Sequence, residues 1–122
     1  MSWWARLEDP ETGEVLNVEQ HSEGGTYMIG GTDRSELNVT YNYGVQFRKA
    51  WPGNVSGSGA LNTMLDGRSG EETLPLLLEA VGYLGTDRTR DYWAATPGNA
   101  GFALDILAKW AEQHPQGVWR VS

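Results

Sequence analysis

The chain contains no cysteine. Disulfide frameworks, thiol nucleophiles, iron–sulfur clusters and every zinc site built on thiolate are therefore excluded. Histidine is scarce, with only His21 and His114. Neither falls in an HExxH or paired-His spacing, so no metal and no organic cofactor is expected. Positive charge is also short: nine Lys and Arg against sixteen Asp and Glu leave a formal net charge of −7 over 122 residues. Direct nucleic-acid binding, which needs clustered Lys and Arg, is disfavoured. No apolar run approaches the ~18 residues of a membrane span. Met1-Ser2-Trp3-Trp4 has no basic n-region, so a cytoplasmic protein without a membrane partner is expected. The length suits one domain over 1–122,.

What the chain does have is aromatic residues and glycine: six Trp, five Tyr and sixteen Gly. A two-layer domain of this size buries most of its indoles and leaves roughly one or two for a partner or ligand surface. Trp3 and Trp4 are diagnostic, because neighbours on a strand face opposite sides.

Runs 3–8 and 15–21 flank Asp9-Pro10-Glu11-Thr12-Gly13-Glu14, which predicts a hairpin with a long loop. Trp4, Leu7, Val15 and Val18 fit its buried side imperfectly. Two Gly-Gly-Thr triplets bracket a short strand over 26–29. Segment 37–43 (LNVTYNY) alternates in strict period two, which predicts a strand to about Tyr43, then a short helix over 46–51. Tyr43, Phe47 and Trp51 also fall at i, i+4, i+8, so a helix from near Thr40 competes. Segment 53–70 is rich in Gly and Ser and reads as the most mobile loop.

A helix over 70–84 presents Leu74, Leu77, Leu78, Val81 and Leu84 and stops at Gly85,. Ser69 and Glu72 match a capping box, yet Pro75 then sits beyond the first turn. The helix is either kinked there or starts nearer Thr73. A second helix starts at Thr96-Pro97, presents Ala103, Ile106, Leu107 and Trp110, and ends at His114-Pro115,. Residues 118–121 form a last strand, with the N-terminal hairpin as its expected partner. The fold class is α+β: a small antiparallel sheet of N-terminal hairpin, central strands and C-terminal strand, with two main helices on one face.

The candidate site lies where the 37–43 strand meets the 91–99 connector. Tyr41, Asn42, Tyr43, Asp91, Tyr92, Trp93 and Asn99 supply rings and polar groups beside the N-terminus of the second helix, a place that suits an anion. Tyr92 and Trp93 could stack on a planar ring; the competing role for Asp91 and Asn99 is to hold local backbone. His21 and Glu23 are outer candidates. His114 is expected to satisfy carbonyls at its own helix end. No residue is assigned as catalytic.

The series His21-Ser-Glu-Gly-Gly-Thr-Tyr27, Glu36-Leu-Asn-Val-Thr-Tyr-Asn-Tyr43, Asp91-Tyr-Trp93 and Thr96-Pro-Gly-Asn-Ala100 resembles a group of short proteins encoded by phages and prophages. The resemblance implies context and no mechanism: small acidic phage accessory proteins are often inhibitors or sponges of host defence. The expectation is a non-enzymatic, counter-defence binding protein that sequesters a small planar or nucleotide-like ligand or inhibits a host protein. Two alternatives stand beside it. One is a small hydrolase-like enzyme using His21 with Glu23 or Asp91; the other is an acidic nucleic-acid mimic. An uncovered indole or sheet edge further suggests a homodimer.

Overall fold

The computed structural model describes residues 2–21, 32–52, 60–91 and 93–122. The strand expected over 26–29 lies outside them. Ser2–Glu8 forms β1, the middle strand of a three-stranded antiparallel sheet. Its alternation buries Trp3, Ala5 and Leu7 and turns Ser2, Trp4, Arg6 and Glu8 outward. Trp4 was expected on the buried side. Trp3 takes that place, and the Trp4 ring is 41% exposed.

β1 has two edges, and both are paired. On one side β4 (Glu36–Thr40) lies antiparallel, with Ala5 opposite Leu37 and Arg6 opposite Glu36. On the other lies β5 (Val118–Val121), with Leu7 opposite Trp119 and Arg6 opposite Arg120. The C-terminal strand does pair with the N-terminal one. The hairpin, by contrast, closes only at its turn: Glu8 bridges Val15, and Leu16 N donates to Leu7 O. Beyond that point the second run leaves as β2 (Asn17–His21) and pairs with β3 (Thr32–Arg34) in a separate two-stranded sheet. Leu37 and Val39 on β4 are both fully buried beside β1, so β4 offers an inward apolar pair at the edge where the hairpin would have closed.

The strand expected to reach Tyr43 stops at Thr40. Thr40 Oγ1 accepts from Asn42 N at 3.3 Å and starts a 3₁₀ turn over Tyr41–Tyr43, followed by α1 (Gly44–Ala50). The competing helical spacing was the correct one: Tyr43–Phe47 and Phe47–Trp51 ring centroids are 6.3 and 5.9 Å apart. Segment 53–70 is not all loop, since Ala60–Leu65 forms α2 with Ala60, Leu61, Met64 and Leu65 buried.

α3 (Gly70–Leu84) starts at the capping box, with Ser69 Oγ accepting from Glu72 N at 3.1 Å. Pro75 lies within it. Pro75 and Glu71 are both exposed, so water can serve the carbonyl that loses its donor. The buried stripe is Thr73, Leu77, Ala80 and Leu84; Leu78, expected inside, is 50% exposed. α4 (Pro97–Gln113) begins as expected, with Thr96 Oγ1 accepting from Asn99 N at 3.1 Å.

α3 and α4 run antiparallel against the inner face of the sheet. Trp119 on β5 donates from Nε1 to Thr73 Oγ1 at 2.7 Å and stacks on Trp110 at 6.4 Å. At the other end of the pair, a Cβ on Gly101 would lie 1.8 Å from Gly85 O. Gly85 itself has φ +75° and ends α3, a conformation that glycine alone adopts freely. Trp3, Trp51, Trp110 and Trp119 are buried, and Trp4 and Trp93 are the two indoles left out. No helix among the described residues is long and apolar enough to cross a membrane.

Candidate functional site

Two regions compete for the role of site. The first is the connector between α3 and α4, where the sequence places most of its candidates. Asn99 is buried at the start of α4. Its Oδ1 accepts from Thr89 N at 2.7 Å, and its Nδ2 lies within 3.1 Å of Thr89 Oγ1, Asp91 O and Ala94 O. Both ends of the amide are thus spent on the connector backbone. Asp91 Oδ1 accepts from Trp93 N at 3.1 Å. From the opposite side Asn42 Nδ2 donates to Trp93 O at 2.9 Å and Gln46 Nε2 to Ala95 O at 2.8 Å.

The structure therefore brings Asn42, Asp91, Trp93 and Asn99 together, but their polar groups latch the connector. The N-terminus of α4 is also covered. A Cβ on Gly98 would lie 1.9 Å from Asp87 O, so the connector backbone packs against the first turn, and Asn99 N and Ala100 N already donate to Thr96. Tyr43 is fully buried, and Tyr41 packs edge-on to Trp3 at 4.7 Å. Tyr92 and Glu23 lie outside the described residues.

His21 is elsewhere. Its ring lies 4.8 Å from that of Trp110, and its Nε2 is 2.7 Å from Arg34 O. His114 holds Asn17 O in the same way at 2.7 Å, serving β2 and not the end of its own helix. Asp91 is anchored at residue 99 and His21 rests at residue 110. Eleven positions of α4 separate these contacts, about 16 Å at ~1.5 Å rise per residue. His21 and Asp91 are not brought together. Among the described residues no group of three or more His, Asp or Glu is placed to hold a metal ion.

The second region is the outer face of the three-stranded sheet, which no helix among the described residues covers. Trp4, Arg6, Glu36 and Ser122 line an open groove of about 310 Å³. Trp4 N donates to Ser122 O at 2.9 Å, and Ser122 N to Trp4 O at 3.0 Å, so these residues sit side by side. Across the other edge Trp4 is opposite Asn38, whose Nδ2 donates to Ser2 Oγ at 2.6 Å. Arg6 is flanked by Glu36 and Arg120. Both flanking groups are engaged away from it: Glu36 with Arg34 at 4.0 Å, Arg120 with Glu8 at 3.6 Å. Arg6 Nε is buried with no hydrogen-bond partner among the described residues. Buried donors are nearly always paired, with protein or with ordered water.

Neither Trp4 nor Arg6 is among the residues that the sequence marks as a site. The signal was present in the polar alternation Ser2, Trp4, Arg6, Glu8 and in the Trp3–Trp4 doublet. Strict alternation over 37–43 would set Asn38, Thr40 and Asn42 on one strand face,. Only Asn38 reaches the open face, because Thr40 is buried as a cap and Asn42 follows it in the turn.

The fold and site define an α+β domain whose outer sheet face carries a groove holding the Trp4 ring with Arg6 and Glu36. No protein-family model matches the chain, and neither does any curated protein or solved structure.

Proposed function

We propose that the chain is a non-enzymatic binding protein of the phage accessory type, which takes a small planar, nucleotide-like ligand on the open sheet face. The observation that carries this reading is an open groove in which Arg6, in no ion pair among the described residues, lies beside Trp4, which is 41% exposed. An exposed indole supplies a stacking surface at low entropic cost, and a guanidinium supplies directed donors. The groove lies at the small end of ligand sites, which run from ~300 Å³ upward. It suits one ring system. A role in counter-defence follows from the sequence resemblance combined with this capacity to sequester.

The edge geometry bears on self-association. The outer edge of β5 is taken by the chain itself, with Gly67 N donating to Trp119 O and Trp119 N to Arg68 O, both at 2.9 Å. The exposed indole of Trp4 and the outer edge of β4, the other end strand, are what a second copy would have to cover.

A thermal-shift panel of nucleosides, cyclic nucleotides and ADP-ribose derivatives tests the proposal. A ligand at a hundredfold over its Kd stabilises the native state by ~2.7 kcal/mol. At least one member should raise Tm, and Trp4→Ala should remove the shift. Silence across the panel, or a shift that survives in Trp4→Ala, would overturn the reading; silence would favour a host-protein target.

A further inference from the structure

The open face of the three-stranded sheet carries Arg6 and Glu8 on β1, Glu36 on β4 and Arg120 on β5. Its ion pairs leave one of these groups over: Glu8 engages Arg120, and Glu36 engages Arg34, which comes from β3 of the other sheet. The guanidinium left over is Arg6, in a chain whose overall balance is strongly acidic. Like charges directly opposite on an antiparallel pair are destabilising, and Arg6 and Arg120 are such a pair. The desolvated Nε of Arg6 adds a second unfavourable contribution.

One negative charge set against Arg6 in the groove offsets its repulsion from Arg120. A second would meet Glu36, which lines the same groove, and the negative field of the whole chain. We infer that the groove selects a planar aromatic ring carrying a single negative charge, a carboxylate or a phosphodiester, with the ring on Trp4 and the anionic group on Arg6. Arg6 and Trp4 are next-but-one neighbours on β1, so their side chains share the outer face about 7 Å apart along the strand. That spacing matches a ring and the acidic group attached to it. The inference rests on the ligand reading above and narrows its chemical class.

The test compares matched probes by calorimetry at low salt, where exposed charges are least screened. Adenosine and 3′,5′-cyclic AMP present the same base without and with one negative charge; benzamide and benzoate do so without a nucleoside. The monoanion of each pair should bind about tenfold more tightly than its neutral partner, the magnitude of a charge-assisted hydrogen bond. In Arg6→Gln that ratio should fall toward one, and Arg6→Lys, which keeps the charge but loses the planar fork, should retain part of it. Cooperative thermal unfolding of both variants reports that they are folded. Equal binding within both pairs, or a ratio that survives in Arg6→Gln, would overturn the inference. If adenosine binds through Trp4 while the ratios are one, the ligand reading stands and the charge selection falls. If only benzoate binds, through Arg6, the charge selection stands and the nucleotide-like reading falls.

Discussion

Arg6 sits directly opposite Glu36 across β1 and β4, yet the Glu36 carboxylate engages Arg34, 4.0 Å away. A cation flanked by a carboxylate it does not engage is a poor arrangement for stability alone. Stored electrostatic cost of this kind is common where a surface is kept for binding.

Replacing Arg6 by Met should therefore do no harm to the fold. Met retains much of the aliphatic stem and removes a desolvated, unpartnered charge, so stability should be unchanged or higher by up to about 1 kcal/mol. Equilibrium denaturation in urea measures it. A loss beyond about 1 kcal/mol would show that Arg6 has a stabilising partner in the native state.

Asn99→Ala should be costly without opening a large cavity. It strands Thr89 N and takes one donor from each of the Asp91 and Ala94 carbonyls, which keep Ala94 N and Thr96 N, and so removes hydrogen bonds worth about 1 kcal/mol each. A loss of about 2–4 kcal/mol is expected, together with faster amide exchange at Thr89 and Ala94. Asn42→Ala, at an exposed position with one side-chain bond to Trp93 O, should cost about 1 kcal/mol or less. Equal effects of the two substitutions would contradict the assignment of Asn99 as the principal latch.

Three glycines separate packing from propensity. Gly98→Ala and Gly101→Ala each place a methyl within 2 Å of a backbone oxygen, at 1.9 Å from Asp87 O and 1.8 Å from Gly85 O. Each should cost about 3 kcal/mol or more, because backbone on both sides must move. Gly82→Ala, exposed in α3 with nothing within 4 Å, should stabilise by about 0.5–1 kcal/mol. Thermal denaturation of the three variants gives the signs directly.

The helices were legible because their signals are local. Thr96-Pro97 and Ser69 cap where the side chains demand it, and Pro75 was tolerated because it faces solvent. The 37–43 segment was misread because Tyr43 belongs to two periodicities at once, the strand alternation before it and the Phe47–Trp51 stripe after it. A single hydroxyl, that of Thr40, decides between them. α2 was missed because the glycine-rich stretch preceding it in sequence carries no periodicity. The Asn99 and Asp91 polar groups were visible as a cluster, but only the path of the connector shows that they are consumed by it. Arg6 illustrates the opposite case. Its outward direction follows from alternation, whereas its lack of a partner depends on which carboxylates the neighbouring strands bring and where those turn.

The most direct test of the central claim is a ¹H–¹⁵N titration that follows the indole Nε1–H resonances, with Trp4 assigned by its absence in Trp4→Phe. Addition of cyclic AMP should shift the Trp4 indole and the amides of Arg6, Glu36 and Asn38 together. Trp93, at the connector, and the buried Trp110 and Trp119 should stay in place. Shifts centred on Trp93 and residues 89–99, with Trp4 unmoved, would put the binding surface on the connector and contradict the account.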